Sequence, residues 1–358
     1  MKRLLTAGAT AIATVVAAGS LTGCRDDTAT EPQGNPSYYV APNASVFPSY
    51  VSTTGIPYIR TRIEGEVTRA GSLLDMNEAG WAVGSRFTGP GQFIAVAVNV
   101  RTGDTVRMGT ALTGGSQAKA INARGEVVGG AVFVQPQAPT AFHWRDGVLT
   151  TLGSGAAMDI NNKGVVVGYS WAGSSTYPWT WSGGEIQRLG TASGWANAIN
   201  NSGQIVGAAR IDGSGHEIPV IWRNGEPVSL DVSWWGEATS INERGQIVGA
   251  GIGPRALWSA FLWDAGSVIW LEPLDGGKES FATAINGRGE IVGHVVLGQV
   301  NRAVLWRNGQ PTDLGLSGVT VPFENVSEAY GITNSGQVIG RVGQGSNRNG
   351  VIWTPPAR

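Results

Sequence analysis

The chain carries little charge and almost no cysteine. Charged residues make up 14% of its 358 positions, with 25 basic side chains against 26 acidic ones. A chain so close to neutral, without a block of like charge, lacks the basic surface that a nucleic-acid backbone requires, and we expect no nucleic-acid partner. Cys24 is the single cysteine, which excludes a disulfide within the chain.

Common enzyme and metal-site motifs are also missing from the sequence. It has no Gly-x-Ser-x-Gly, no phosphate-binding glycine loop and no Asp-rich calcium loop. Its three histidines, His143, His216 and His294, do not have the spacing of metal ligands. We therefore predict no metal and no cofactor, and we favour a non-enzymatic role.

Glycine, in contrast, is abundant. The 54 glycines are about twice the usual share of roughly 7%. They recur at regular spacing, which is typical of turns and not of disorder. Because 42% of the residues are hydrophobic, the chain has enough apolar surface to build a sizeable core.

The N-terminus predicts an export signal. Lys2 and Arg3 precede an apolar run, residues 4–18, that is too short for a comfortable membrane span. The following Leu21-Thr22-Gly23-Cys24 resembles the lipobox of bacterial lipoproteins. This resemblance implies that residues 1–23 are a signal peptide and that Cys24 carries the acyl chains that anchor the protein to a membrane.

The residues after Cys24 suggest where the protein resides. In the lipoprotein pattern an aspartate at the next position favours inner-membrane retention, whereas this chain has Arg25. The resemblance therefore implies the bacterial outer membrane or cell surface. Residues 24–57 are rich in Pro, Ser, Thr and Asn without a sustained period, and they predict a flexible tether.

From residue 65 onward the chain repeats one unit. An Ile-Asn-x-x-Gly-x-Val-Val-Gly element, with some variation, occurs seven times at intervals of 39 to 47 residues. Its Asn positions, replaced by Thr in the last copy, are Asn77, Asn122, Asn161, Asn200, Asn242, Asn286 and Thr333. An apolar run ending in tryptophan follows every copy but the first, at Trp144, Trp181, Trp222, Trp263, Trp306 and Trp353.

These repeats resemble those of the bacterial HAF-repeat family, also called probable extracellular repeat proteins. Close variants of the His-Ala-Phe triplet precede two of the tryptophans, in Ala141-Phe142-His143-Trp144 and in Ala260-Phe261-Leu262-Trp263. The resemblance covers residues 65–358. It implies an exported protein, and it carries no activity and no catalytic residues.

The repeat also predicts the fold. Short β-branched and aromatic runs separated by glycine turns indicate strands, and four strands per unit are typical of a β-propeller blade. The Asn side chain is expected to bond its own turn, and small residues such as Gly293 to let neighbouring blades approach closely. We therefore predict an all-β, monomeric seven-bladed propeller over residues 58–358, with a β-solenoid as the alternative fold.

The two ends of the chain suggest how the ring closes. The last unit ends near Trp353 without its fourth strand, while residues 65–71 match residues 184–190 of a complete unit. We expect this N-terminal strand to complete the C-terminal blade, which leaves no open edge.

Labelling the four strands of a unit A to D places the tight A–B and C–D turns on one face. The variable B–C and D–A connectors lie on the opposite, loop-rich face, where binding residues usually reside. The side chains that we assign to ligand binding are Trp171, Trp195, Trp234, Trp235, Trp258, Arg210, His216 and Arg255.

This pattern favours a surface-anchored recognition protein that binds a glycan, a peptide or a partner protein. One alternative is a polysaccharide-active enzyme, of glycosidase or lyase type, that pairs two connector carboxylates across the central pocket. A second alternative is a structural envelope protein without a small ligand, whose connector aromatics pack on each other.

Overall fold

The structure is a computed structural model that describes only part of the chain. The described residues are 59–62, 71–89, 92–108, 115–131, 140–173, 175–211, 213, 215–315, 326–343 and 348–355. The predicted signal peptide, Cys24 and the predicted tether lie outside them. Within these ranges no helix has the length and apolar character needed to cross a membrane.

The described strands form seven antiparallel sheets of four strands each. Blade 1 contains β2 (Ser72–Met76), β3 (Trp81–Gly89), β4 (Gln92–Asn99) and β5 (Thr105–Met108). Blade 2 contains β6 (Ser116–Ile121), β7 (Val127–Ala131), β8 (Thr140–Arg145) and β9 (Val148–Ser154). Blade 3 contains β10 (Ala156–Ile160), β11 (Val166–Ala172), β12 (Ser175–Ser182) and β13 (Glu185–Arg188).

The next three blades repeat this order. Blade 4 contains β14 (Gly194–Ile199), β15 (Ile205–Ala209), β16 (Ile218–Arg223) and β17 (Glu226–Ser229). Blade 5 contains β18 (Gly236–Ile241), β19 (Ile247–Ile252), β20 (Trp258–Asp264) and β21 (Ser267–Trp270). Blade 6 contains β22 (Glu279–Ile285), β23 (Ile291–Leu297), β24 (Val300–Arg307) and β25 (Gln310–Asp313).

Blade 7 combines the two ends of the chain. It contains β26 (Ser327–Ile332), β27 (Val338–Val342) and β28 (Asn349–Thr354), and its outer strand is β1 (Ile59–Arg62). Strand β1 pairs antiparallel with β28, with Ile59 opposite Thr354. The seven-bladed ring with an N-terminal closing strand is therefore confirmed, and the solenoid is not favoured.

The position predicted for the closing strand was wrong. The strand that pairs with β28 is Ile59–Arg62, whereas the sequence match placed it at residues 65–71, most of which lie outside the described residues. Residues 184–190, on which the match was based, follow a C–D turn that fixes their register. No such turn joins β1 to β28, so the match does not set the register of this strand pair. The observed register runs from Ile59 opposite Thr354 to Arg62 opposite Val351.

Every A strand contains a β-bulge that the sequence did not predict. Its register against strand B shifts around one residue, three positions before the turn Asn or Thr, as around Thr283 in β22. The glycine of the Val-Gly element accommodates this irregularity. A Cβ on Gly293 would lie 1.9 Å from the carbonyl oxygen of Phe281 in the same blade. At Gly293 the close approach is thus within the blade and not between neighbouring blades as predicted, whereas a Cβ on Gly350 of blade 7 would lie 2.9 Å from the Leu73 side chain of blade 1.

The turn asparagines join each blade to the next. The Oδ1 atom of Asn200 accepts the backbone N–H of Gln204, which confirms the predicted bond within the turn. The Nδ2 atom of Asn200 also donates to the carbonyl oxygen of Asn242 in the following blade, at 3.1 Å. The same inter-blade bond forms at six of the seven junctions, with distances of 3.0 to 3.1 Å.

Thr333 occupies the seventh position of this row, and its hydroxyl contacts Ser335 and Gln337 of its own turn. A different inter-blade bond closes that junction, because the backbone N–H of Asn334 donates to the carboxylate of Glu78 in blade 1. The inter-blade bonds therefore continue across the junction where the chain ends meet.

We predict opposite effects for two substitutions in the asparagine row. Asn200→Ala removes a buried donor and acceptor at once, so it should lower the free energy of unfolding by ~2–4 kcal/mol. Thr333→Asn adds the missing donor toward Asn77 and should raise it by up to ~1 kcal/mol. Chemical denaturation of both variants measures these changes. A stability unchanged by Asn200→Ala would contradict the assigned role of the row.

Candidate functional site

The A strands surround the centre of the ring, and each contacts the A strands of both neighbouring blades. Each A strand starts at the loop-rich face and ends at its A–B turn. Because the blades of a propeller are arranged around a central channel, the residues five positions before the turn Asn or Thr lie around the loop-rich end of that channel, its entrance. We call these residues the mouth ring: Ser72, Gln117, Ala156, Trp195, Glu237, Phe281 and Glu328.

Three of the predicted binding residues lie in strands and not in connectors. Trp171 is in β11, Trp195 in β14 and Trp258 in β20. Each continues the ladder of its blade, as Trp195 does opposite Ala208. Aromatic side chains fit a pleated, half-buried surface, so these strands extend further toward the loop-rich face than the repeat indicates. The other five predicted residues, Arg210, His216, Trp234, Trp235 and Arg255, lie in connectors as predicted.

An aromatic cluster spans blades 4 to 6. The His216 ring contacts Trp234 at 5.2 Å and Trp235 at 5.1 Å between centroids. Trp235 packs edge-on against Trp258 at 5.4 Å, and Trp258 stacks on Phe281 of the mouth ring at 5.8 Å. Trp258 is buried, whereas Trp234 at the outer end is 55% exposed. The cluster thus presents one indole to solvent on a packed aromatic base.

His294 extends the cluster inward. Its ring stacks on Phe281 at 4.9 Å, and its side chain is buried. Burial lowers the pKa of His294, against the opposing influence of the Glu328 carboxylate. The buried Nδ1 atom has no hydrogen-bond partner among the described residues.

Trp171 and Trp195 do not belong to this cluster. Trp171 packs edge-on against Tyr169 of its own strand, with centroids 5.0 Å apart. Trp195 is half-buried, and its Nε1–H donates to Oε2 of Glu237 in the next blade at 3.1 Å. The predicted binding tryptophans therefore form two separate sets, with Trp234, Trp235 and Trp258 in the cluster and Trp171 and Trp195 outside it.

Glu237 is a carboxylate of the mouth ring that has no paired cation among the described residues. Its Oε2 atom accepts from Trp195 and from Nδ2 of Asn197, at 3.1 and 3.0 Å. Desolvation raises the pKa of Glu237, and the two hydrogen bonds oppose that shift. Burial, with a smaller contribution from the Glu237 carboxylate, also raises the pKa of Tyr169 to about 12. Tyr169 and Trp195 thus lie on one side of the channel entrance with this carboxylate.

Glu328 occupies the same mouth-ring position in blade 7 in a different environment. It is buried, and Arg341 binds it through two bonds of 2.9 Å. Asn301 donates to Oε1 at 2.7 Å, and the Tyr330 hydroxyl donates to Oε2. Although desolvation opposes it, this pairing lowers the pKa of Glu328 to about 2. The charge of Glu328 is therefore compensated within the protein.

The two predicted arginines form ion pairs at the rim of the loop-rich face. Arg210 binds Glu217 of the same connector, with its Nε atom 2.7 Å from Oε1. Arg255 lies 4.0 Å from Glu272 and is largely exposed. The exposed pair of Arg255 contributes little to stability, so this side chain remains available to an incoming ligand, whereas Arg210 is half exposed and held in place by the less exposed Glu217.

Asp75 and Asp159 are polar groups near the channel that sequence reasoning missed. Each lies two positions before its turn Asn and accepts a backbone N–H of the following blade, from Ile121 and Ile199. Burial raises the pKa of Asp159 to about 7, in part because Asp75 lies nearby. The sequence does contain a pattern that points to them, since aligning the repeats on their turn Asn places both aspartates at the same position.

Seven four-stranded antiparallel sheets in a closed ring define a β-propeller. No protein-family model and no curated protein matches this sequence. The resemblance to the HAF-repeat family therefore stays a prediction.

A solved β-propeller structure supports the fold. The β-propeller domain of the Trilobed protease from Pyrococcus furiosus, described as having an open velcro topology, aligns with a TM-score of 0.55 at 12% identity, over 80% of this chain and 95% of that one. TolB from Acinetobacter baumannii gives a TM-score of 0.45 at 12% identity, over 85% of this chain and 66% of its own. Trypanosoma rangeli sialidase gives 0.40 at 11% identity, over 88% and 60% of the two chains. The similarity to the first of these structures concerns the fold alone.

We predict that Glu328 makes stability depend on acid pH. Because its pKa in the fold is about 2, below the ordinary value, its contribution is present above the ordinary pKa and disappears as the pH falls toward 2. Glu328→Gln should therefore cost ~3 kcal/mol at pH 7, and less at pH 3. Denaturation at both pH values measures this difference.

Glu185→Gln, at an exposed position on β13, is the matched control and should change stability by less than ~0.5 kcal/mol. A cost of Glu328→Gln that is equal at pH 7 and pH 3 would contradict the assigned ion pair.

Proposed function

We propose that this protein is a surface-anchored recognition propeller that binds a carbohydrate on its loop-rich face. The observation that carries this proposal is the aromatic cluster, in which the 55% exposed Trp234 rests against His216 and Trp235. Because tryptophan combines a large apolar ring with a polar N–H group and is enriched at interfaces, an exposed indole backed by packed aromatic rings supports a ligand-binding role.

The base of the cluster supports this role. His216 and Trp235 contact the Trp234 ring, and the buried Trp258 supports Trp235 from below. Little conformational freedom is therefore lost when a ligand stacks on Trp234. The flat, apolar face of an indole suits the C–H face of a sugar ring, and the ion-paired Arg210 and Arg255 supply polar groups for hydroxyls at the rim.

The alternative of a polysaccharide-active enzyme requires two carboxylates that are free to act as acid and base. Glu237 and Glu328 share the mouth ring, but Glu328 is already bound by Arg341, Asn301 and Tyr330. This pairing favours binding over hydrolysis at the channel entrance. Release of reducing sugars from a bound polysaccharide would reverse that preference.

We also propose that Cys24 anchors the protein in the bacterial outer membrane, with the propeller at the end of the tether. The lipobox-like residues 21–24 support this proposal. Cys24→Ser should remove the acyl chains and move the protein from the membrane fraction to the soluble fraction. Cell fractionation with mass spectrometry of the N-terminal peptide measures both effects. A variant that stays in the membrane fraction would exclude anchoring through this residue.

The binding proposal predicts a specific loss in one variant. The full-length protein should bind selected carbohydrates on a glycan array, and Trp234→Ala should weaken the best of them at least ~10-fold, because the stacking face is lost. Ile186→Ala is the matched control, since Ile186 is also exposed but lies on the outer strand β13.

Three results would contradict the proposal. The array gives no carbohydrate signal, Trp234→Ala binds as well as the wild type, or peptides bind while carbohydrates do not. A fall in binding caused by Ile186→Ala as well would show that the measured surface is not the loop-rich face.

A further inference from the structure

Glu237 and Glu328 are the two carboxylates of the mouth ring, and they differ in whether a positively charged side chain lies opposite them. In blade 7 the residue opposite Glu328 on strand B is Arg341, which supplies a guanidinium to the carboxylate. In blade 5 the residue opposite Glu237 is Ala250, which supplies no charge. The same position of the repeat thus carries one carboxylate with a built-in cation and one without.

The geometry at Glu237 leaves one carboxylate oxygen open. Trp195 and Asn197 both donate to Oε2, and Asn197 is itself held by a 2.9 Å bond to the carbonyl oxygen of Ala238. No described residue donates to Oε1. Glu237 is only partly buried, so part of the residue remains accessible to solvent. Oε2 therefore fixes the orientation of the carboxylate while Oε1 remains an acceptor.

We infer that Glu237 forms a subsite for the ammonium group of an amino sugar. The ligand would supply the positive charge that Arg341 supplies to Glu328. Oε1 accepts one N–H of the ammonium group in a charge-assisted hydrogen bond. This inference rests on the proposed carbohydrate binding and assigns a chemical class to part of the ligand.

The aromatic side chains beside Glu237 favour an amino sugar over a lysine side chain. The in-plane Nε1–H of Trp195 donates to Oε2, and this edge-on bond fixes a half-buried indole beside the ammonium subsite. Tyr169 of blade 3 feels the charge of the Glu237 carboxylate, and the Trp171 ring packs against Tyr169. A pyranose offers a C–H face to the indole and an ammonium group at C2, whereas a lysine offers the charge on a flexible chain.

Three β-1,4-linked tetrasaccharides that differ only at C2 test this inference: glucosamine tetraose, N-acetylglucosamine tetraose and cellotetraose. Titration calorimetry of the full-length protein at pH 6 should show glucosamine tetraose binding about tenfold tighter than the other two, since a hydrogen bond to a charged group contributes that much. Glu237→Gln keeps the shape and the acceptor for Trp195 but removes the charge. It should abolish the preference and leave the two neutral ligands unchanged.

Glu226→Gln, an exposed carboxylate on the outer strand β17, is the control and should keep the preference. Trp195→Phe keeps an aromatic ring and deletes the donor to Oε2, so it should reduce the preference without abolishing neutral binding. Melting temperatures of all variants establish that each is folded.

Equal affinities for the three tetrasaccharides would overturn the inference, as would a preference that survives Glu237→Gln. Binding of lysine amide as tightly as glucosamine tetraose would also overturn it, because the site would then recognise an ammonium group without the sugar. If the neutral tetrasaccharides still bind in a Trp234-dependent manner, the proposed carbohydrate binding stands while the ammonium subsite fails.

Discussion

The inter-blade hydrogen bonds of the turn asparagines are the interaction on which the rest of this structure depends. Each blade buries apolar residues against its neighbours, but burial alone does not fix the angle between two sheets. The asparagine does so, because its Oδ1 holds its own turn and its Nδ2 reaches the carbonyl oxygen of the next turn. Both groups of a buried amide are thereby satisfied, which is the condition under which a buried polar side chain is stabilising.

These asparagines lie at the ends of the A strands, on the face that carries the A–B turns. The side chains at the opposite ends of the A strands take no part in these bonds and can vary. The mouth ring shows the result, since its seven positions include serine, glutamine, alanine, tryptophan, phenylalanine and two glutamates. The scaffold requires a strand at these positions but no particular side chain. The chemistry of the channel entrance is therefore set blade by blade, as the contrast between Glu237 and Glu328 illustrates.

The repeat made most of the fold predictable from the sequence. Its spacing, its turn glycines and its missing fourth strand predicted seven blades and an N-terminal closing strand, and these predictions are confirmed. The register of that strand was not predictable, because no turn connects Ile59–Arg62 to its partner. The bulge in each A strand was missed as well, since it depends on pairing with strand B and leaves no pattern in a single copy.

The candidate site was harder to predict for a physical reason. The tryptophans were found because they stand out from the repeat, but whether they pack together depends on distances between blades. The sequence could not show that Trp234 and Trp235 share a cluster with His216 while Trp195 bonds to Glu237. Position in the repeat would have placed Glu237 beside the channel, yet its open oxygen depends on Ala250 across the strand pair.

Hydrogen–deuterium exchange of the full-length protein, with and without its best carbohydrate ligand, tests most directly whether recognition lies on the loop-rich face of a fixed frame. The account predicts slower exchange in the connectors around Trp234 and at the start of β18, with unchanged exchange in the A–B turns at the opposite face. Protection confined to those turns, or to the outer D strands, would contradict it.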